Sequence, residues 1–197
     1  MHLVFDIFQG IGIGAAVGIR PFLPGLAAGA LAAGDVEIHF DHTHYSFLAS
    51  SWFLLVLVVG AVLLVAVERS ALSQRLREAP LAYLLMLISL GLGGLFFAGS
   101  LCRGGYTVWP GWIGGVICAA VGIAASRPFL ERLRTRLDAA AAAVGLPLIA
   151  EGSAVLIAAL SIVAPPVGPI ALLLLIWLLF RGRRRDDQKY AGLRILR

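Results

Sequence analysis

Arg20 stands inside the apolar run 3–33, directly before Pro21. A charged side chain at the centre of a bilayer costs about 2.5–3.5 kcal/mol on insertion scales, so an arginine there pairs with an acid or lines a cavity. Pro21 has no amide hydrogen and suits the first position of a new helix. The run therefore divides into two pieces, roughly 5–19 and 21–33. A helix starting at Pro21 would aim its amides and its positive dipole end at the place where Arg20 also sits, which makes an anion site. The plainer reading is that 3–19 already spans and Arg20 snorkels to an interface. Glu151 follows Pro147 in a second apolar run, 148–164, otherwise free of charge. A carboxyl there can exchange a proton, pair with Arg20, or rest at the headgroup level. Arg20, Pro21 and Glu151 are the candidate substrate-binding residues; Asp6, Gln9 and Glu68 read as interfacial.

A second set of chemically able side chains lies in residues 35–44, where His39, Asp41, His42 and His44 stand close together. Imidazole and carboxylate together can hold zinc or a similar ion, and a closed site needs four ligands. The spacing matches no standard zinc signature, and an external polar loop explains the same residues. No cofactor is expected. In Gly12-Ile13-Gly14 the third glycine of a dinucleotide fingerprint is misplaced and the preceding strand is missing. The chain also shows no phosphate loop, no nucleophile–base arrangement, and no haem or iron–sulfur spacing, so it reads as a non-enzyme.

The elements that must position these residues follow from composition. Of 197 residues, 60% are hydrophobic and 14% charged, with a mean hydropathy of +0.93. Soluble domains are about a quarter charged, and a chain of this size cannot hide so much apolar surface. An all-α polytopic membrane protein is expected, with about six transmembrane helices. They occupy 3–33 (broken at Arg20-Pro21), 51–67, 81–101, 108–125, 148–164 and 167–180, since a crossing needs roughly 17–25 residues. The last two share a break at Pro165-Pro166, and a five-span chain with a re-entrant last run is the alternative. Residues 1–180 form one membrane domain and 181–197 a basic tail.

Arginine placement sets the orientation. Residues 68–79, 126–138 and the tail carry three, four and seven basic residues, 14 of the 16 in the chain. Six spans with both termini cytoplasmic would put all of these on one side. The tail, beside a span, would meet anionic lipid rather than nucleic acid. A cleaved signal peptide is disfavoured by Asp6, by the lack of a basic amino-terminal region and by Arg20-Pro21. Trp109 and Trp112 read as interfacial anchors, and Cys102 and Cys118 say little about redox compartment.

An internal echo runs through the chain. Arg20-Pro21-Phe22-Leu23 recurs as Arg127-Pro128-Phe129-Leu130, and Ala15-Ala16-Val17-Gly18-Ile19 recurs unchanged as Ala119-Ala120-Val121-Gly122-Ile123. If 1–102 and 103–180 are three-span repeats, the odd number of spans forces opposite orientations, the inverted plan of many secondary transporters. Coincidence in a biased composition is the alternative. After the second copy, Leu130, Leu133 and Leu137 share a helical face apart from Arg132, Arg134 and Arg136. That pattern suits a helix lying on a membrane surface, and equally a charged loop that sets topology. Stripes such as Gly10, Gly14 and Gly18 let helices approach closely in lipid.

The pattern Gly18, Arg20, Pro21, Leu23, Pro24, the opening Ser51-Trp52 of a span closed by Glu68, and the late Pro147 and Glu151 resemble bacterial integral membrane proteins of domain-of-unknown-function family 4126. The proline-interrupted hairpin ending Trp177-Leu178-Leu179 and arginines belongs to the same resemblance. It implies a bacterial cytoplasmic membrane location and no settled activity. The histidine-bearing loop and the arginine-rich stretch from Ser126 depart from the family pattern. The expected function is a small transporter or channel for an anionic solute or lipid headgroup at the broken helix. The alternative is a non-catalytic accessory or scaffold subunit of a larger membrane complex. Partners would be the lipid bilayer and either a second copy or a larger assembly.

Overall fold

Prolines and charges mark where the helices stop. In a computed structural model that describes residues 2–34, 43–69 and 80–193, seven α-helices are present and no strand is found among the described residues. They are α1 (His2–Ile19), α2 (Phe22–Ala33), α3 (Ser51–Arg69), α4 (Pro80–Arg103), α5 (Trp109–Arg134), α6 (Ala139–Val163) and α7 (Val167–Leu193), with a 3-10 turn at Ser46–Ala49. Pro21 separates α1 from α2, Pro80 opens α4, and Pro165-Pro166 separate α6 from α7. Three segments, Leu81–Arg103, Trp109–Arg134 and Val144–Val163, are long and apolar enough to cross a membrane. The chain is thus a helical membrane protein. The apolar parts of α1, α2, α3 and α7 are shorter.

Contacts between helices fix their directions. Gly93 packs on Gly115 and Ala119, and Gly111 on Ala98, so α4 and α5 form an antiparallel pair. Their turn closes through Gly105, whose φ of 72° lies in the left-handed region that glycine adopts without steric cost. Gly10 of α1 packs on Phe97, and Asp6 pairs with Arg103, so α1 runs against α4 and alongside α5. One end of the bundle therefore holds Arg103, Trp109 and the first turn of α1. The other, basic end holds Arg127, Arg132, Arg134 and Arg181, together with the end of α3 and the start of α4.

Helix α2 turns back on α1. Gly25 of α2 packs on Phe96, next to the Phe97 that Gly10 touches, and Gly29 packs on Leu48. Phe22, Gly25 and Gly29 meet Gly60, Leu57 and Leu54 in descending order, so α2 and α3 are antiparallel. The 3-10 turn preceding α3 is held at the Arg103 end, where Trp112 Nε1 donates to the Tyr45 hydroxyl at 3.0 Å. The first apolar run is therefore a helical hairpin with Arg20-Pro21 at its tip, and not one span broken midway. The start of α1 lies at the Arg103 end, while α7 runs toward the basic end.

The echo is physically joined, but in a different sense from an inverted repeat. A methyl group at Gly18 would overlap the Ala119 carbonyl, and one at Gly122 would overlap the Ala15 carbonyl. These are the same two positions of each copy exchanged, a reciprocal contact between helices that run in the same direction. An inverted repeat would set α1 and α5 head to tail. The tetrapeptide also adopts two conformations. The first copy ends a helix, whereas Pro128 lies inside α5, which continues unbroken to Arg134. The segment from Leu130 therefore extends α5 and is not a separate surface helix. Helix α7 likewise runs past Phe180 to Leu193.

Two buried clusters fill the bundle. Ile13, Val17, Ala28, Leu48, Leu57 and Phe96 tie the hairpin to α3 and α4. Ala15, Phe97, Leu101, Cys118 and Leu175 tie α1 to α4, α5 and α7. Helix α1 lies at the centre of both.

Candidate functional site

The polar residues of α1 lie on one stripe. Asp6, Gln9, Ile13, Ala16 and Arg20 follow the three-and-four spacing that places residues on one helical face. Glu151, Ala154, Ala158 and Ser161 do the same on α6. The two helices run antiparallel in register. Gln9 Nε2 donates to the Ile162 carbonyl at 3.0 Å, and eleven residues further along α1, Arg20 Nε lies 3.7 Å from Glu151 Oε1. The side chains of Arg20 and Glu151 are 14% and 15% exposed, so the pair is shielded without being sealed.

The hairpin tip explains why Arg20 is there. Its amide closes the last turn of α1 on Ala16 O at 3.2 Å, and the buried Pro21 then begins the return. Pro21 has backbone angles of φ −72° and ψ −40° and caps α2 without a side-chain hydrogen bond. Pro21 and Pro24 both lack an amide hydrogen, which leaves Phe22 and Leu23 as the donors of that first turn. The guanidinium, more than the helix end, is therefore the positive group at the tip. Glu151 reaches it from the middle of α6, one turn after the internal Pro147.

Toward the Arg103 end the seam is apolar. Ile13, Ala16, Ala154 and Ala158 are fully buried between the Arg20–Glu151 pair and the next polar groups. Those groups are Gln9, Ser161 and Asp6. Ser161 packs on Gly12 and donates to the Ile157 carbonyl. Asp6 Oδ1 lies 3.1 Å from Arg103 Nη2, with Asp6 1% exposed. Asp6 and Gln9 are therefore buried inside the bundle. Their spacing with Arg20, six-nine-twenty on a single stripe, was the signal for this in the sequence.

The structure brings Arg20, Pro21 and Glu151 together. Of the metal-like cluster, His39, Asp41 and His42 lie outside the described residues, and His44 is exposed beside Tyr45. Among the described residues no group of three or more His, Cys, Asp or Glu side chains is placed to hold a metal ion. Trp109 is exposed as an anchor would be, while Trp112 also bonds Tyr45. Comparison with protein-family models, with curated proteins and with solved structures gives no match.

Proposed function

We propose that this chain is a small membrane carrier that takes an anionic group, from a solute or a lipid headgroup, on Arg20 at the tip of a re-entrant hairpin. The observation that carries the reading is the Arg20–Glu151 contact at 3.7 Å inside an apolar bundle. A charged pair at this depth has a high desolvation cost, and helical packing alone would be served as well by leucine. Helix α2 has 12 residues, about 18 Å of rise, against about 30 Å of hydrocarbon. It supports a hairpin that enters from one face and returns to it, a form tolerated only where protein surrounds the tip.

Arginine density favours the basic end as cytoplasmic, with α1 entering from the opposite face. The ring stack of Arg181 over Trp177, at 4.8 Å, fits an interfacial anchor at the basic end. In this frame Arg20 faces the cytoplasmic side, and the alanine-lined seam closes the other route. Rocking of the hairpin against α6 would open that seam.

The test is reconstitution into liposomes with two arms. One follows uptake of chloride, nitrate or L-lactate; the other follows translocation of fluorescently tagged phosphatidylglycerol by surface quenching. Wild-type protein is expected to move at least one probe, with Arg20→Ala reducing the rate at least tenfold and Arg20→Lys less. Equal rates in wild type, Arg20→Ala and empty liposomes would overturn the reading.

A further inference from the structure

At the Arg103 end a groove of about 560 Å³ opens between the first turns of α1 and the turn that joins α4 to α5. Its floor is Phe97 and Leu101, both buried, with half-buried Ile7 beside them. Methyl groups at Gly10 and Gly114 would overlap the Phe97 ring, so α1 and α5 hold that floor rigidly from two sides. The mouth is polar, because Tyr106 and Thr107 bring hydroxyls to the turn. Small-ligand sites have this make-up, apolar walls with a few polar groups and a volume of roughly 300–1,000 Å³. We propose that the groove holds one acyl chain of a membrane phospholipid, packed on Phe97 and Leu101, with the ester and headgroup oxygens at Tyr106 and Thr107. The proposal is independent of the carrier reading, since Ile7 and Arg20 are thirteen residues apart on α1, about 20 Å of rise.

The order of polarity along the groove selects this occupant. Helices α4 and α5 are two of the segments long and apolar enough to cross a membrane. Phe97 lies six residues before Arg103, the last residue of α4, so the floor is about 9 Å further into the span than its charged end. A phospholipid has the same sequence along the same axis, polar at the surface and apolar below. The groove also continues into the exposed apolar surface of Leu3, Val4 and Ile113, which lipid covers in a helical membrane protein. Pro110, which lines the groove, and Trp112, two residues on, face different flanks of α5, so the turn that Trp112 holds through Tyr45 leaves the groove open. A helix from a second copy, about 10 Å across, would fill this volume in little more than one turn. That is far short of the roughly 800 Å² per partner of a stable interface. A thin, flexible chain meets no such limit.

The test uses phosphatidylglycerol with a diazirine near the end of one acyl chain. Wild-type protein reconstituted with this lipid is washed in lipid-free detergent, irradiated and digested. Lipid on the open surface exchanges into the micelles, whereas a chain seated in the groove is retained. Mass spectrometry is expected to place the adducts on the peptides of Ile7, Phe97 and Leu101 in preference to those of exposed Val56 and Leu63 on α3. Leu3→Trp and Ile7→Trp fill the groove and are each expected to lower that labelling about tenfold. Leu3 is exposed, so its replacement leaves the buried clusters intact. Adducts spread evenly over the exposed faces of α3, α6 and α7 overturn the proposal, as does wild-type labelling of both variants. Crosslinks between two copies through the groove, in place of lipid adducts, overturn it in favour of a second chain. The wild-type map decides even if a variant does not fold, and none of these failures bears on transport through Arg20.

Discussion

Asp6 keeps a carboxylate almost fully buried one turn from the start of α1, and Arg103 Nη2 at 3.1 Å offsets the cost. Removing one member of a buried pair leaves the other charge uncompensated, at about 3–5 kcal/mol, whereas replacing both with neutral groups of similar size is often neutral. Arg103→Gln is therefore expected to lower thermal stability in mild detergent sharply, as is Asp6→Asn alone, and the two together to recover most of the loss. Additive losses in that double-mutant cycle would show that the pair has no structural coupling. The expectation for Arg20 and Glu151 was readable because a charge in an apolar run must be explained. Asp6 was harder to read, since a charge near a chain terminus is easily assigned to the membrane surface. The stripe it shares with Gln9 and Arg20 becomes meaningful only once α6 is known to lie against it.

At the scale of the element, the two copies of the echo approach each other backbone to backbone. Gly18 and Gly122 each face the backbone of the opposite helix with no space for a methyl group. Without a hydrophobic driving force between helices in lipid, such contact is what holds them together. Gly18→Ala and Gly122→Ala are each expected to destabilise the protein by about 1–3 kcal/mol, the usual cost of overpacking. Gly91 sits in α4 with nothing within 4 Å of an added methyl group. Gly91→Ala is accordingly expected to stabilise by about 0.5–1 kcal/mol through helix propensity. Thermal unfolding of the three variants in one detergent checks both signs, and a destabilised Gly91→Ala would contradict the open surroundings. The echo was visible as letters, but its direction was not. Direction depends on whether α2 returns beside α1, and neither hydropathy nor proline position encodes that reversal.

Over the whole molecule, composition and run length were enough to place most helix boundaries, since apolar runs and prolines act locally. Topology was not legible, because the reversal in residues 3–33 sets the end of the bundle at which α1 starts without moving any other helix. The arginine asymmetry survives the change: the described basic residues of α5 and α7 still share one end of the bundle. The side of the membrane on which α1 starts has a direct test. In a Cys102→Ser, Cys118→Ala background, single cysteines are placed at Leu3, in the first turn of α1, and at Leu137, in the turn between α5 and α6. Both positions are exposed. A membrane-impermeant maleimide added to sealed, oriented vesicles is expected to label one of the two, and disruption of the vesicles to expose the other. Labelling of both from the same side would mean that residues 3–33 cross the membrane as one segment. It would also separate Asp6 from Arg103 by the thickness of the bilayer, and the hairpin that positions Arg20 would then have to be abandoned.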